Sequence, residues 1–148
     1  MVVLAKKLNL IPSDIYTHIK IPFNINGNFD KVKIKFKYTP KALEDYKKAK
    51  PIILEGFAIY HQNTFWSDKE MITFMPLNNL ITLSLDSPIK HLGAAHRHPN
   101  NQTHIISSLK SSRGFLQSKI FKGQWMITIS CNYIATENIE VCLELSCE

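Results

Sequence analysis

The sequence contains little arginine and little glycine, and it has no long apolar run. Only Arg97 and Arg113 stand among the 18 basic residues. Because the arginine fork is the preferred group for reading base edges and phosphates, specific nucleic-acid recognition is disfavoured. The five glycines form no phosphate-binding loop, and no G-x-S-x-G nucleophile motif occurs. No apolar run approaches the roughly 20 residues that a membrane-spanning helix needs, so no membrane partner is expected.

Cysteine is also scarce, and its use indicates a reducing compartment. The three cysteines are an odd number, and the first residues, MVVLAKKLNLIPSD, lack the order of charge and apolar length of a secretory signal. We therefore expect reduced thiols and a cytoplasmic protein. Cys131 and Cys147 have the apolar parity of their segments and are predicted to be core residues, whereas Cys142 has the opposite parity. A Cys–His pair assembled by the fold stays open.

The 148 residues have the length and composition of one globular domain, residues 1–148. Hydrophobic residues make up 45% and charged residues 20%, which is ordinary for globular proteins and argues against disorder. No internal repeat, low-complexity tract or linker divides the chain. The net charge of +6 permits an acidic partner without requiring one.

Alternation of apolar and polar residues is the dominant pattern, and it predicts β-strands because alternate side chains of a strand point to opposite faces. Trp125 begins one such segment on its apolar face and is predicted to anchor a sheet. The alternation favours antiparallel sheets with one buried face. The four clearest segments are KVKIKFKY (31–38), NLITLSLD (79–86), WMITISCNY (125–133) and IEVCLELSC (139–147).

Weaker patterns complete the predicted fold. One helix is predicted in TPKALEDYKKAK, with Thr39 as its cap, Pro40 at the first helical position and Pro51 as its end. About eight short strands and one short helix predict an all-β fold, an antiparallel two-sheet β-sandwich of jelly-roll type. The weaker strand candidates are residues 51–62, 71–75, 103–109 and part of 14–23.

The first alternating segment carries lysine at every polar position. Lysines 31, 33, 35 and 37 therefore share one face of a predicted strand. Such a row is most often a solvated face, and its charge discourages sheets from pairing edge to edge. A surface for polyanions or acidic head groups is the alternative.

A series of turn and core features follows in order through residues 80–145. Its glycines are predicted to form turns, and Phe115 is predicted to pack on the core. The members are Asp86 with Pro88, Leu92-Gly93 with His96-Arg97, Gly114 with Phe115, Gly123 with Trp125, Tyr133, and the alternating residues 141–145.

This series resembles the β-sandwich domain that precedes the catalytic domain in the CehA/McbA group of PHP-type metallohydrolases. The earlier KIKFKYTP is similar to that domain's early strand, which ends in Tyr-x-Pro. A weaker similarity extends to bacterial pre-peptidase C-terminal domains. Leu92 stands where the resembled domain has arginine, and Ser118 replaces the second glycine of its Gly-Tyr turn. The resemblance implies a free-standing accessory domain that ends where the hydrolase domain would begin, and hence no PHP chemistry and no cofactor.

Histidines are concentrated between His91 and His104, and His96 and His98 form an H-x-H pair. Residues two apart in a strand share a face, so this pair could bind a metal. No Cys, Asp or Glu lies between Asp86 and Cys131, so a third ligand would have to come from a distant segment, for instance His61 or Glu55. A polar loop with incidental histidines is the favoured interpretation.

Aromatic residues near the middle of the chain offer a second candidate site. Trp66, with His61, Asn63 and Asp68 around it in IYHQNTFWSD, has the composition of a sugar-stacking platform. The simpler alternative is that Phe65 and Trp66 fold inward and cap one end of the sandwich.

These observations predict binding or assembly as the role of the domain, without enzyme activity of its own. The partner would be a hydrolase or a second copy of the chain. The alternatives are a carbohydrate-binding module centred on Trp66 and a metal-dependent hydrolase using His96 and His98.

Overall fold

In the computed structural model, which describes residues 1–60, 66–96 and 98–148, eight long strands form two four-stranded sheets. A two-stranded ribbon and two helices lie between the third and fourth of them. The strands are β1 (Val2–Leu10), β2 (His18–Ile25), β3 (Lys31–Thr39), β4 (Ala42–Leu43), β5 (Leu77–Asn78), β6 (Leu80–Asp86), β7 (His91–Ala95), β8 (Asn101–Ser107), β9 (Gly123–Tyr133) and β10 (Ile139–Cys147). The helices are α1 (Tyr46–Tyr60) and α2 (Asp68–Met71), with 3₁₀ turns at Pro12–Asp14 and Ile72–Phe74.

The two large sheets have the jelly-roll strand order. One sheet runs β1-β10-β3-β8 and the other β2-β9-β6-β7, with β4 and β5 forming the separate ribbon. Every neighbouring pair in these sheets is antiparallel. The chain therefore crosses repeatedly between sheets, as in two interleaved Greek keys. The predicted fold class, an all-β antiparallel sandwich of jelly-roll type, is confirmed.

The core lies between the two sheets and is built by the alternation seen in the sequence. All four clear segments are strands, and their apolar positions are buried. Trp125 is fully buried, stacks with Phe23 at a ring-centroid distance of 6.3 Å, and donates its indole N–H to the Phe121 carbonyl at 2.9 Å. The prediction that Trp125 anchors the core is confirmed. The weaker candidates at 103–109 and 14–23 correspond to β8 and β2.

The predicted helix at residues 39–50 is wrong in position. Thr39 still belongs to β3, where it pairs with Glu140 of β10. The helix begins later because Asp45 caps it, its carboxylate accepting the Lys47 N–H at 2.9 Å. Pro51 does not end α1, although it cannot donate a backbone hydrogen bond to the Lys47 carbonyl.

The strand predictions at 51–62 and 71–75 are also wrong where the structure describes them. Residues 51–60 continue α1, and residues 71–74 lie in α2 and the following 3₁₀ turn. Ala49, Ile53 and Phe57 recur every four residues on one side of α1 and pack in a small cluster with Met71. A short apolar run does not distinguish helix from strand by periodicity, and these contacts decided for helix.

Gly93 and Gly114 bring two backbone segments into close contact. Gly93 in β7 has φ +128° and Gly114 has φ +96°, and the Ala94 N–H donates to the Gly114 carbonyl at 3.2 Å. A methyl group added at Gly93 would collide with that carbonyl. This contact positions Phe115 on the core, as predicted, while Gly123 is the first residue of β9.

Within the described ranges, no helix combines the length and the apolar character needed to cross a bilayer.

Candidate functional site

The described residues of the segment between β3 and β6, 40–60 and 66–79, fold outside the two four-stranded sheets, and we call them the excursion. It has a small core of its own, in which Ala49, Ile53 and Met71 are buried. Ser67 begins α2 by accepting the Glu70 N–H on its hydroxyl, at 3.3 Å. The Glu70 carboxylate in turn accepts the Ser67 hydroxyl proton at 3.1 Å. Local capping and a few apolar contacts therefore build this region.

Trp66, the residue proposed for sugar stacking, packs within the excursion. Its ring stacks on Phe57 at a centroid distance of 4.6 Å and meets Phe74 edge-on at 6.3 Å. At least one face of the indole is therefore used for packing, against the small core of the excursion. His61, Asn63 and Phe65, on which the rest of that hypothesis depends, lie outside the described residues.

Asp68, the other described member of the sugar hypothesis, is engaged by two neighbours. Its carboxylate accepts the Tyr46 hydroxyl at 2.7 Å and lies 2.9 Å from the Lys50 Nζ. The hydrogen bond from Lys50, and then that from Tyr46, lower the pKa of Asp68. The hydrogen bond to Asp68, followed by desolvation and charge, raises the pKa of Tyr46 to about 12. These contacts fasten α1 to α2.

An apolar groove of about 330 Å³ opens beside α1. At Gly56 the helix leaves room, because an added Cβ would meet nothing within 4 Å. Ile59 lies seven residues from Ile52, so both project near Gly56 on one side of the helix. Ile59 is 63% exposed and Phe74 is 47% exposed. We call this the α1 surface; it comprises Ile52, Gly56, Phe57, Ile59, Phe74, Leu77 and Tyr133.

Asn79 fastens the end of the excursion to the sandwich. Its buried side-chain amide donates to the Pro40 carbonyl at 3.0 Å and to the Thr136 Oγ1 at 2.9 Å, and its oxygen accepts the Ala135 N–H at 2.7 Å. The Tyr38 hydroxyl donates to the Asn79 carbonyl at 3.2 Å, and desolvation raises the pKa of that hydroxyl. The start and end of the excursion and the β9–β10 loop are thereby joined.

His96 and His98 line one pocket, of about 450 Å³, together with Arg113. Both histidines are exposed and follow β7. The described residues contain no group of three or more His, Cys, Asp or Glu side chains arranged to hold a metal. His104 is buried beside Phe115, with its Nε2 within 2.8 Å of the Gln102 side-chain oxygen.

The cysteines follow the parity of their strands. Cys131 and Cys147 are buried, and desolvation raises the pKa of both thiols. Cys142 is partly exposed on the outer face of β10, where its Sγ lies 3.7 Å from a Glu140 carboxylate oxygen. All three are free thiols.

The sequence interpretation overlooked the helix α1 and the exposed apolar side chains that it carries. The segment SDKE at residues 67–70 has the Ser-x-x-Glu spacing of a helix-capping box, which would have predicted α2. Recognising a helical excursion there would have directed attention to the apolar side chains around Gly56.

Comparison of the sequence with protein-family models and with curated proteins finds no match.

Proposed function

We propose that this chain is a non-catalytic jelly-roll domain that works by assembly, and that it self-associates through the α1 surface. The observation that carries the proposal is the exposure of large apolar side chains around an open position on α1. Ile59 and Phe74 are 63% and 47% exposed, beside the groove at Gly56. A contiguous apolar patch of this kind is typical of protein–protein contact sites.

The charges of α1 favour a second copy as the occupant. Lys47, Lys48 and Lys50 lie in its first half, and its first turn contains no acidic residue. Cations at the positive end of a helix dipole are unfavourable. A second α1 packed antiparallel would bring its own negative end towards these lysines. Gly56, near the middle of α1, would allow the two helices to approach closely.

The resemblance to CehA/McbA accessory domains supports the same class of role. In the resembled proteins the domain is joined to a hydrolase, so a hydrolase is the alternative occupant of the α1 surface.

We also propose a reducing, cytoplasmic environment. All three cysteines are free, and an odd number cannot pair completely within one chain. Alkylation of the intact protein inside cells, followed by mass spectrometry, tests this. The expected result is three unpaired thiols; a mixed disulfide on a large fraction of the chains would contradict the proposal.

Light scattering coupled to size-exclusion chromatography tests the self-association. We expect a mass of about twice 17.0 kDa. Ile59→Lys should shift the protein to the monomer because it places a charge within the α1 surface. The matched control is Ile89→Lys, since Ile89 is 65% exposed and lies in the turn between β6 and β7.

Two outcomes would contradict the proposal. One is a wild-type chain that stays monomeric as its concentration is raised. The other is a dimer that Ile59→Lys and Ile89→Lys weaken equally, since the contact would then lie elsewhere. Circular dichroism of each variant verifies that the fold is intact.

A further inference from the structure

The outer face of the β1-β10-β3-β8 sheet contains a groove of about 450 Å³. This face is distinct from the α1 surface and shares no residue with it. Four lysines and one glutamate supply all the formal charge of the lining. The residues are Ala5, Lys6, Lys7, Lys35, Phe36, Lys37, Asn101, Cys142, Leu143 and Glu144.

Strand register explains why a groove forms here. Cys142 on the second strand of the sheet lies directly opposite Lys7 on one side and Lys37 on the other. Ala5 is opposite Glu144 in the adjacent row. Cys142 thus leaves a low position between Lys7 and Lys37, while the adjacent row runs Ala5, Glu144 and Lys35. The Cα atoms of Lys7 and Lys37 are separated by about 9.6 Å, two strand spacings, so their flexible ammonium groups can converge above Cys142.

The positive charge of the groove is only partly balanced by the protein. Glu144 lies 3.3 Å from the Lys35 Nζ, and Glu148 pairs with Lys31 at 2.6 Å. A Glu140 carboxylate oxygen lies 3.7 Å from the Cys142 Sγ. Among the described residues, neither Lys7 nor Lys37 has a carboxylate within ion-pair distance. Two lysines on opposite sides of Cys142 therefore keep their charge available for a ligand.

The side-chain chemistry narrows the class of ligand. The lining contains no arginine and offers no aromatic ring for a base to stack on, since Phe36 is fully buried. Planar bidentate recognition and base stacking are thus disfavoured. Lysine acts as a point charge and can approach a tetrahedral phosphate from several directions. A ligand with several linked negative charges would engage both sides at once.

We propose that this lysine groove binds a ligand bearing two or more linked phosphates, held between Lys7 and Lys37 above Cys142. The phosphates are the recognised chemistry; they could belong to an inorganic polyphosphate or to a diphosphate ester.

Cys142 provides a local reporter for the test. It is the partly exposed cysteine, whereas the other two are buried, so alkylation of the native protein reports on the groove. Inorganic triphosphate, ADP and monophosphate are titrated by calorimetry at about 0.15 M ionic strength. The rate of Cys142 alkylation is measured in parallel by peptide mapping.

Triphosphate should bind saturably and slow Cys142 alkylation over the same concentration range. Lys7→Gln with Lys37→Gln should weaken binding about tenfold or more, because each removes a charged contact. The matched control, Lys110→Gln with Lys119→Gln, removes the same charge from two exposed loop lysines and should change affinity less than about twofold. If triphosphate binds and ADP does not, the ligand is an inorganic polyphosphate. If ADP binds equally well, the ligand is a diphosphate ester.

Four results would overturn the proposal. They are no binding of either polyphosphate, binding without protection of Cys142, equal weakening by the groove and control variants, and stronger protection by a single-stranded oligonucleotide or by polyglutamate. Equal weakening by both double variants would mean that triphosphate binding depends on the net charge of the protein and not on the groove. Because all four substituted lysines are exposed, the variants should remain folded, and the oligomeric state measured above should not change.

Discussion

The sandwich and the excursion are stabilised in different ways. In the sandwich, apolar residues from eight strands pack into one continuous core, and Trp125, Ile127 and Ile129 have no exposed surface. The described excursion buries three apolar residues, Ala49, Ile53 and Met71. It depends on helix caps, the Asp68 contacts and Asn79 for its position. When one contact is lost, many neighbouring contacts still hold the sandwich, but few hold the excursion. The same loss should therefore loosen the excursion more.

Because of this difference, the excursion is the region in which we expect a change of shape on binding a partner. Elements with few buried apolar contacts open at lower free energy than a central sheet. The excursion carries Ile59 and Phe74, the exposed apolar side chains of the α1 surface, whereas the lysine groove lies on a four-stranded sheet. The two proposed binding surfaces thus lie on different parts of the chain, the α1 surface on the excursion and the lysine groove on the sandwich.

The largest effect should separate the two tryptophans. Trp125→Ala should reduce the free energy of unfolding by about 3–5 kcal/mol, because it leaves a cavity in the main core. Trp66→Ala should cost less and affect mainly the excursion. Urea denaturation measures the first, and amide exchange of α1 relative to β9 measures the second. Equal global losses would show that the excursion and the sandwich form one cooperative unit.

The next effect concerns the junction between the two regions. Asn79→Ala should cost about 1–3 kcal/mol, since it leaves the Ala135 N–H and the Pro40 carbonyl without their buried partner. The neighbouring Asn78→Ala is the control, because Asn78 is exposed. Denaturant unfolding of both variants decides the matter. If they lose equal stability, Asn79 is not the fastening point.

Ionisation of cysteine thiols at alkaline pH should destabilise the sandwich and not the excursion, since no cysteine lies in residues 40–79. Burial raises the pKa of Cys131 and Cys147 above the ordinary 9.0, so the folded state holds these protons longer than the unfolded state. Their stabilising contribution is full below the unfolded pKa and is lost progressively as the pH rises from there towards the folded pKa. Urea midpoints should fall over this window. In a double Cys131→Ala, Cys147→Ala variant, the urea midpoint should fall less steeply with rising pH. If the pH dependence is unchanged, other groups cause it.

The smallest effect is a gain. In the monomeric Ile59→Lys background, where no second α1 packs on Gly56, Gly56→Ala should stabilise α1 by about 0.5–1 kcal/mol, because alanine loses less backbone entropy in a helix and the added methyl group meets nothing within 4 Å. The same change at Gly93 should destabilise the sandwich, where the backbone requires glycine. Amide exchange of α1 checks the first, and thermal unfolding checks the second. Destabilisation by Gly56→Ala would mean that α1 is constrained by its surroundings.

Predictability differed between the two regions for a physical reason. The period of two in residues 31–38 and 139–147 reports burial on one face, and these segments became neighbouring strands with the same alternation. The excursion has no such repeated signal. Residues 51–60 are apolar on several sides, so helix and strand were equally compatible with their pattern, and Pro51 suggested an end that the structure does not have.

For the candidate sites too, the sequence showed single residues and the fold showed their neighbours. The lysine row of β3 was visible in the sequence, but its partners were not. Only the register of β1 and β10 places Lys7 and Lys37 on either side of Cys142. The H-x-H pair was visible too, and the fold adds Arg113 to its pocket from a distant part of the chain.

Alternation and burial are properties of neighbouring residues, so the sequence was enough to predict an all-β sandwich, a core position for Trp125 and a cationic face on β3. The strand order, the helical course of residues 46–60 and the composition of both proposed binding surfaces became known from the folded chain. These depend on contacts between residues far apart in the chain, and such contacts form only when the sheets and the excursion have packed together.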